Sequence, residues 1–464
     1  MLAVDAVTYL RMDLPPWIVL TYLFVIGAIV GSFLNVCVYR IPTQERFWDQ
    51  LKSLSNRPSH CPRCQTNILW YDNVPIIGWL RLGGRCRACR MRISPRYPLI
   101  EFLNGCLWVL VYWREVPMGM SATLQESCLY TDLGPQNYPG LGGLSPEWFV
   151  VLRFLFHIVL VEALLVASLI DFDLTIIPDG ATLPAMFFAI VASTAIARTH
   201  LVPVWFQSPN MEQSFGLILP DWVHPFLRGG QVPEWVTQYP HLHGFVVSMV
   251  GLLVGGGIVW AVRLMGFWIL RQEAMGFGDV ILMAMIGAFI GWQASIIAFF
   301  IAPMCAIVVV FWTYVVNVVN RLFGRRDPFA RMIPYGPYLS LGTLLTILFW
   351  KPIFSGTRHF FEMGVLLIPL VIVMGVTFAM SLLIIQLLKR LLGISAGGDD
   401  VTVLWRPADQ TWFFKGEHVN RHTCRWKTND WDGLPAAHGT IHEERWRNGP
   451  QGKPWGPRKR GLRE

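Results

Sequence analysis

Of the 464 residues, 53% are hydrophobic and only 15% charged. Soluble globular proteins carry about 25% charged residues, so the balance excludes an ordinary soluble domain and favours an all-α polytopic membrane protein. The net charge of +8 is concentrated in loops rather than spread over a face, and no nucleic-acid partner is expected.

In chain order, the first apolar run lies near 17–39. Residues 1–16 contain acids and lack a basic n-region, so this run reads as a retained anchor rather than a cleaved leader. Segment 40–97 follows, with Arg40, Arg46, Lys52, Arg57, Arg63, Arg81, Arg85, Arg87, Arg90, Arg92 and Arg96 against three acids. It also holds Cys61-Pro62-Arg63-Cys64 and Cys86-Arg87-Ala88-Cys89. Two such pairs about twenty residues apart have the spacing of a four-thiolate zinc site, each pair giving two ligands from one tight turn. Four thiolates leave no open position for water, so a metal at Cys61, Cys64, Cys86 and Cys89 would be structural. The neighbouring arginines favour the thiolate form. Cys37, Cys106 and Cys305 fall within apolar runs and read as packing residues.

A short run near 98–114 leads to a loop, 115–149, rich in Gly, Pro and Ser and free of Lys or Arg up to residue 150. The next run, 150–170, contains Glu162 and closes on Ser168-Leu169-Ile170-Asp171-Phe172-Asp173, with Ile177-Pro178-Asp179 just beyond. Asp173 stands about 200° around a helix from Asp171, so the two cannot share one partner. Asp179, after a proline, reads as a cap for the run at 181–199. A second loop, 200–242, is rich in Pro, Trp and His and precedes a run at 243–266.

Met275-Gly276-Phe277-Gly278-Asp279 then leads into runs at 281–299 and 300–319, followed by 335–352 and 363–388. Nine runs result, so eight or nine transmembrane helices are expected. A carboxylate at the edge of an apolar span is costly and marks a functional site. Two such groups in a low dielectric cannot both ionise easily. If Asp171 and Asp279 meet, the ionised one can take a proton from water while the protonated one polarises a carbonyl. Gly276 and Gly278 would let a substrate strand approach the backbone. The tail 395–464 is polar and basic, with Trp405, Trp412, Trp426, Trp431, Trp446 and Trp455. Val401 to Phe414 reads as a short hairpin and 447–464 as disordered.

The positive-inside rule places 40–97 in the cytosol and 115–150 outside. Alternation then puts the loops near 171–180, 267–280 and 320–334 inside, with Arg263, Arg271, Arg321, Arg325, Arg326 and Arg331 in agreement. It leaves the N-terminus outside and the tail in the cytosol.

Over most of 18–345 the chain resembles the type IV prepilin peptidases, the leader peptidases of pilus and type II secretion systems. The likeness runs through Gly31-Ser32-Phe33-Leu34-Asn35-Val36, Arg40-Ile41-Pro42, both cysteine pairs, Asn73-Val74-Pro75-Ile76, Gly83-Gly84 and Arg96-Tyr97-Pro98-Leu99-Ile100-Glu101. It continues through Leu169-Ile170-Asp171, Ile177-Pro178-Asp179, Gly276-Phe277-Gly278-Asp279 and Ile333-Pro334-Tyr335-Gly336-Pro337-Tyr338. The resemblance implies an aspartic endopeptidase of the bacterial inner membrane with Asp171 and Asp279 catalytic, acting on prepilins or pseudopilins at the cytosolic face. It also implies N-methylation of the new N-terminus with S-adenosylmethionine, associated with the loop 40–97. The division implied is a first span in 1–39, a zinc-ribbon-like cytosolic loop in 40–97, a peptidase core in 98–352, an extra span in 353–394 and the tail. Three departures stand out: Ile281 where the family usually has Lys, a long interval between the aspartates, and the extra span with its tail. The contrasting reading is a catalytically silent scaffold or transport component that retains the fold.

Overall fold

The structure is a computed structural model that describes residues 14–44, 46–55, 59–61, 64, 66–118, 122–137, 144–208, 232–270, 275–322 and 334–391. Isolated residues 210, 220 and 224 and the pairs 419–420 and 425–426 are also described. The hairpin expected at 401–414, the segment 447–464 and Arg57, Arg63, Arg271, Arg325, Arg326 and Arg331 lie outside these residues, as do 209, 211–219, 221–223 and 225–231 of the loop 200–242.

The described chain is helical, the exceptions being isolated bridges and a two-residue ladder pairing Val419–Asn420 with Arg425–Trp426. Helices satisfy all their backbone groups internally, which is what an apolar run needs in lipid. Several begin with proline in the first turn, at Pro16, Pro146, Pro240 and Pro337. There the missing N–H costs nothing and the fixed φ suits the helix.

Among the described residues six helices are long and apolar enough to cross a membrane, or seven if one bent pair counts as a span. The difference from eight or nine has physical causes. The runs at 281–299 and 300–319 belong to one 46-residue element, Phe277–Leu322, which breaks at Gly291 (φ 79°, ψ 169°) rather than at residue 300. A straight helix of that length would reach about 69 Å, over twice the roughly 30 Å hydrocarbon layer. Only glycine adopts that φ without strain. The run at 335–352 bends by 94° where Gly336–Leu348 meets Trp350–Phe361. The run at 98–114 is the Arg96–Glu115 helix, which carries charges at both ends.

The chain divides into two compact units, with boundaries inside the Pro146–Leu174 and Asp179–Ile196 helices. One comprises Met12–Trp113, Val161–Pro184 and Ala408–Glu464. Its core joins Leu34, Cys37 and Val38 of the first helix, and Ile41 just after it, to Val166, Ile170 and Leu174. Gly31 lets the first helix approach the Arg96–Glu115 helix, since a Cβ there would lie 2.9 Å from the Glu101 backbone. One oxygen of Glu162 is met from this side: Asn104 Nδ2 (2.9 Å) and Trp108 Nε1 (2.5 Å) both donate to its Oε1.

The other unit comprises Met1–Arg11, Arg114–Leu160 and Ala185–Pro407. Phe156, Phe188 and Phe289 pack with tilted rings, the buried pair Phe156 and Phe289 4.9 Å apart. The Pro240–Leu270 and Phe277–Leu322 helices meet at glycines: a Cβ on Gly251 would sit 2.0 Å from the Gly287 carbonyl oxygen. Small residues of this kind let helices in lipid bring their backbones together. Residues 122–137 are tied down by Arg153 Nη2 to Ser127 Oγ (3.1 Å) and Lys351 Nζ to the Gln125 carbonyl (2.9 Å). Nor does the start of the 200–242 loop simply hang from its spans. Trp292 Nε1 (2.7 Å) donates to the Val204 carbonyl and Gln293 Nε2 (2.8 Å) to that of Pro203.

Candidate active site and metal centre

In the unit that begins at Met12, each cysteine pair sits in a small knuckle. Antiparallel bridges join His60 to Asn67 and Arg85 to Arg92. Within them the Cys61 N–H donates to the Thr66 carbonyl (2.9 Å) and the Cys86 N–H to that of Met91 (2.8 Å). The turns aim all four sulfurs inward: the Sγ atoms of Cys61, Cys64, Cys86 and Cys89 lie within 4.8 Å of one another. The closest pairs are Cys61 with Cys89 at 3.8 Å and Cys64 with Cys86 at 3.9 Å. Hydrogen bonds from Thr66, side chain then backbone, bring the Cys64 thiol down to about 6. The cluster can hold a metal ion.

Beside the knuckles lies a cavity of about 780 Å³, bordered by Ser32, Asn35 and Tyr39 of the first helix, by Asp72 and Trp79 of the loop, and by Glu101. Arg87 binds Asp72 through two hydrogen bonds of 2.5 and 2.7 Å, which hold that carboxyl below its ordinary range. Neither the cavity nor the Arg87 pairing has a sequence signal, because both depend on how the loop folds back.

Asp171 lies one turn before the end of the Pro146–Leu174 helix and is buried, at 5% exposure. The helix closes with Thr175 at φ 56°, whose N–H donates to the Asp171 carbonyl at 2.8 Å. A left-handed residue after a helix satisfies one of its orphan carbonyls. Asp173 is turned to another task, accepting from Arg96 Nη1 at 2.7 Å. Asp179 is the first residue of its helix rather than the residue before it, and is buried. The next N–H, of Gly180, donates to Gln50 Oε1 at 2.7 Å. A Cβ on Gly180 would stand 2.5 Å from that oxygen.

Asp279 belongs to the second unit, in the first turn of the Phe277–Leu322 helix, at 8% exposure. The Gly276 N–H donates to its Oδ2 at 3.2 Å, as expected of a carboxylate in a helix first turn. Gly278 is the second residue of that helix. Arg263 is buried, with its guanidinium carbon 5.6 Å from the centre of the Phe277 ring, and its charge reaches the Asp279 carboxylate. Tyr335, of the Ile333–Tyr338 motif, senses the same carboxylate: its phenol rises to about 12 through burial first and the Asp279 charge second. In the sequence Arg263 counts only towards the inside charge at the end of the run at 243–266; the structure keeps it inside the Pro240–Leu270 helix and buries it. Ile281 is buried.

The long apolar helices, one with Asp171 buried in its last turn and another with Asp279 buried in its first, are those of a multi-pass membrane protein. The family model described as Type IV leader peptidase family matches residues 217–311, and that of the Bacterial Peptidase A24 N-terminal domain matches residues 25–115. The first contains Asp279 and the second all four clustered cysteines; Asp171 falls between them. Proteins named prepilin leader peptidase/N-methyltransferase are similar over most of the chain. That of Aeromonas salmonicida is 27% identical over 357 residues, 72% of this chain and 91% of the relative. That of Pseudomonas putida is 27% identical over 367 residues, 76% and 97%. That of Klebsiella pneumoniae is 29% identical over 274 residues, 59% and 86%. No solved structure matches. The chain thus carries segments similar to both A24 peptidase models and is similar over most of its length to proteins named as leader peptidases.

Proposed function

We propose that this protein is a prepilin leader peptidase that also N-methylates the new N-terminus. Asp171 and Asp279 form the catalytic pair, with Gly276, Gly278 and Asp179 in support. The observation that carries this reading is the burial of both aspartates in a chain with this likeness. A silent scaffold would have no use for two desolvated carboxylates, each costly to keep from water. In the reaction the ionised aspartate takes a proton from water, which attacks the scissile carbonyl, and the protonated aspartate donates to the developing oxyanion. No acyl-enzyme forms. The substrates are prepilins or pseudopilins, and cleavage takes place at the cytosolic face of the bacterial inner membrane. The arginine-rich segment 40–97 supports that orientation.

Zinc at Cys61, Cys64, Cys86 and Cys89 would close the knuckles. Tetrahedral thiolates at about 2.3 Å from zinc stand about 3.8 Å apart, and the closest sulfur pairs here stand at 3.8 and 3.9 Å. S-adenosylmethionine brings a methyl group on a positively charged sulfur. The cavity of about 780 Å³ is within the range of cofactor sites, and Trp79 and Tyr39 offer it aromatic faces. The loop 40–97 would then be the methyltransferase region, 98–352 the peptidase core, 1–39 and 353–394 flanking spans, and 395–464 a cytosolic tail.

The test is reconstitution of the full chain in proteoliposomes with a type IV prepilin and S-adenosylmethionine. Appearance of the mature pilin, shorter by its leader and carrying one added methyl, is the expected result. A prepilin that stays intact would sink the peptidase assignment.

A further inference from the structure

The cavity beside the knuckles is bordered by two acids, and they differ in one respect. Asp72 is neutralised by the bidentate Arg87 contact. Glu101, at 8% exposure, has no ion-pair partner among the described residues. Its Oε2 accepts from the Ile76 N–H at 2.6 Å, and the Ser32 hydroxyl also reaches the carboxylate. Both donors are neutral. Ile76 is held at φ 61°, a region that β-branched residues avoid, and such strain gathers where a structure over-determines a site. A carboxylate withdrawn from water with only neutral partners is a binding place for a cation.

We infer that Glu101 receives the α-amine of the cleaved substrate and takes its proton before methyl transfer, an inference that rests on the methyltransferase reading above. An ammonium has no lone pair and cannot attack; with its proton on a Glu101 carboxylate oxygen, the neutral amine can. The new N–C bond then forms as the donor's C–S bond breaks. Sulfur keeps the bonding pair and becomes a neutral thioether, while nitrogen becomes a methylated ammonium. Glu101 lies in the second turn of the Arg96–Glu115 helix and Ser32 in the second half of the Pro16–Arg40 helix, so this wall of the cavity is built by apolar helices, the side from which a substrate anchored by its own apolar helix must arrive. Loop residues such as Trp79 and Asp72 form the remaining walls and are left for the soluble donor.

The experiment uses the full-length enzyme in proteoliposomes with prepilin and S-adenosylmethionine. Mass spectrometry counts methylated chains as a fraction of cleaved chains. Glu101→Gln keeps an amide oxygen to accept the Ile76 N–H but loses the charge; Glu101→Asp keeps the charge. The methylated fraction is expected to fall about a hundredfold for Glu101→Gln and less for Glu101→Asp, while binding of labelled S-adenosylmethionine without substrate stays within about twofold. Methylation by Glu101→Gln at the wild-type level, or the reverse order of the two variants, overturns the inference. A joint loss of donor binding and methylation also overturns it, assigning Glu101 to the donor instead. A wild-type enzyme that cleaves without methylating removes the methyltransferase reading and this inference with it, leaving the peptidase reading intact.

Discussion

Arg96 Nη1 donates to Asp173 Oδ1 at 2.7 Å, tying the end of the cysteine loop to the last turn of the helix that carries Asp171. Asp173 is thereby engaged in an ion pair within this unit. The contact also joins the cavity rim, where Ser94 and Pro95 lie, to the helix that carries Asp171 in the same unit.

That joint is measurable. Arg96→Ala and Asp173→Ala should each destabilise the chain, and a double-mutant cycle should give a coupling of about 1–3 kcal/mol. SDS-induced unfolding in mixed micelles would report it. Strictly additive losses would show that the pair contributes nothing.

Asp171→Asn and Asp279→Asn should each lower prepilin cleavage by about 10² to 10⁴-fold, the range for loss of a general acid or base. Each variant should still reach the membrane. Timed appearance of mature pilin on a gel checks this, and wild-type rates from either variant would refute the pair.

Arg263 stands over Phe277 with its charge on Asp279. Arg263→Gln should reduce cleavage about tenfold, equivalent to roughly 1.4 kcal/mol. The loss should fall in kcat rather than KM, and Arg263→Lys should recover part of it. Equal defects for Gln and Lys would point to packing over the ring instead of charge.

Metal analysis of the purified chain should find about one zinc ion per molecule, bound by four thiolates. Cys86→Ser or a strong chelator should remove it and open 59–93 to protease. Full metal content in Cys86→Ser would place the ion elsewhere.

His200 and His243 lie edge to face with ring centres 4.5 Å apart. Burial first, then the neighbouring His243 and Arg198 charges, push His200 well below its ordinary 6.5. The unfolded chain therefore binds the proton more tightly, so stability rises with pH. The contribution is whole above pH 6.5 and is lost as pH falls from there towards the folded value. The slope reaches at most about 1.4 kcal/mol per pH unit. Unfolding of wild type and His200→Phe between pH 7.5 and about 4.5 would check this, with the variant expected to be flatter.

The sequence by itself determined that the chain is helical and membrane-spanning, since apolar run length and loop charge are local properties read without a fold. It also determined the four thiols, because each Cys-x-x-Cys pair closes its own turn, and the two aspartates, whose burial cost is visible from their place beside apolar runs. Tertiary structure decided what depends on distant residues meeting. Only packing shows that Gly291 breaks the Phe277–Leu322 helix, that Arg96 claims Asp173, that Arg263 is withdrawn beside Asp279, and that Glu101 lines a cavity with only neutral donors on its carboxylate. A charge reads the same in a sequence whether it faces water or a carboxylate; burial and partner are set by chain segments far away in number, and these turn a polar residue into a site.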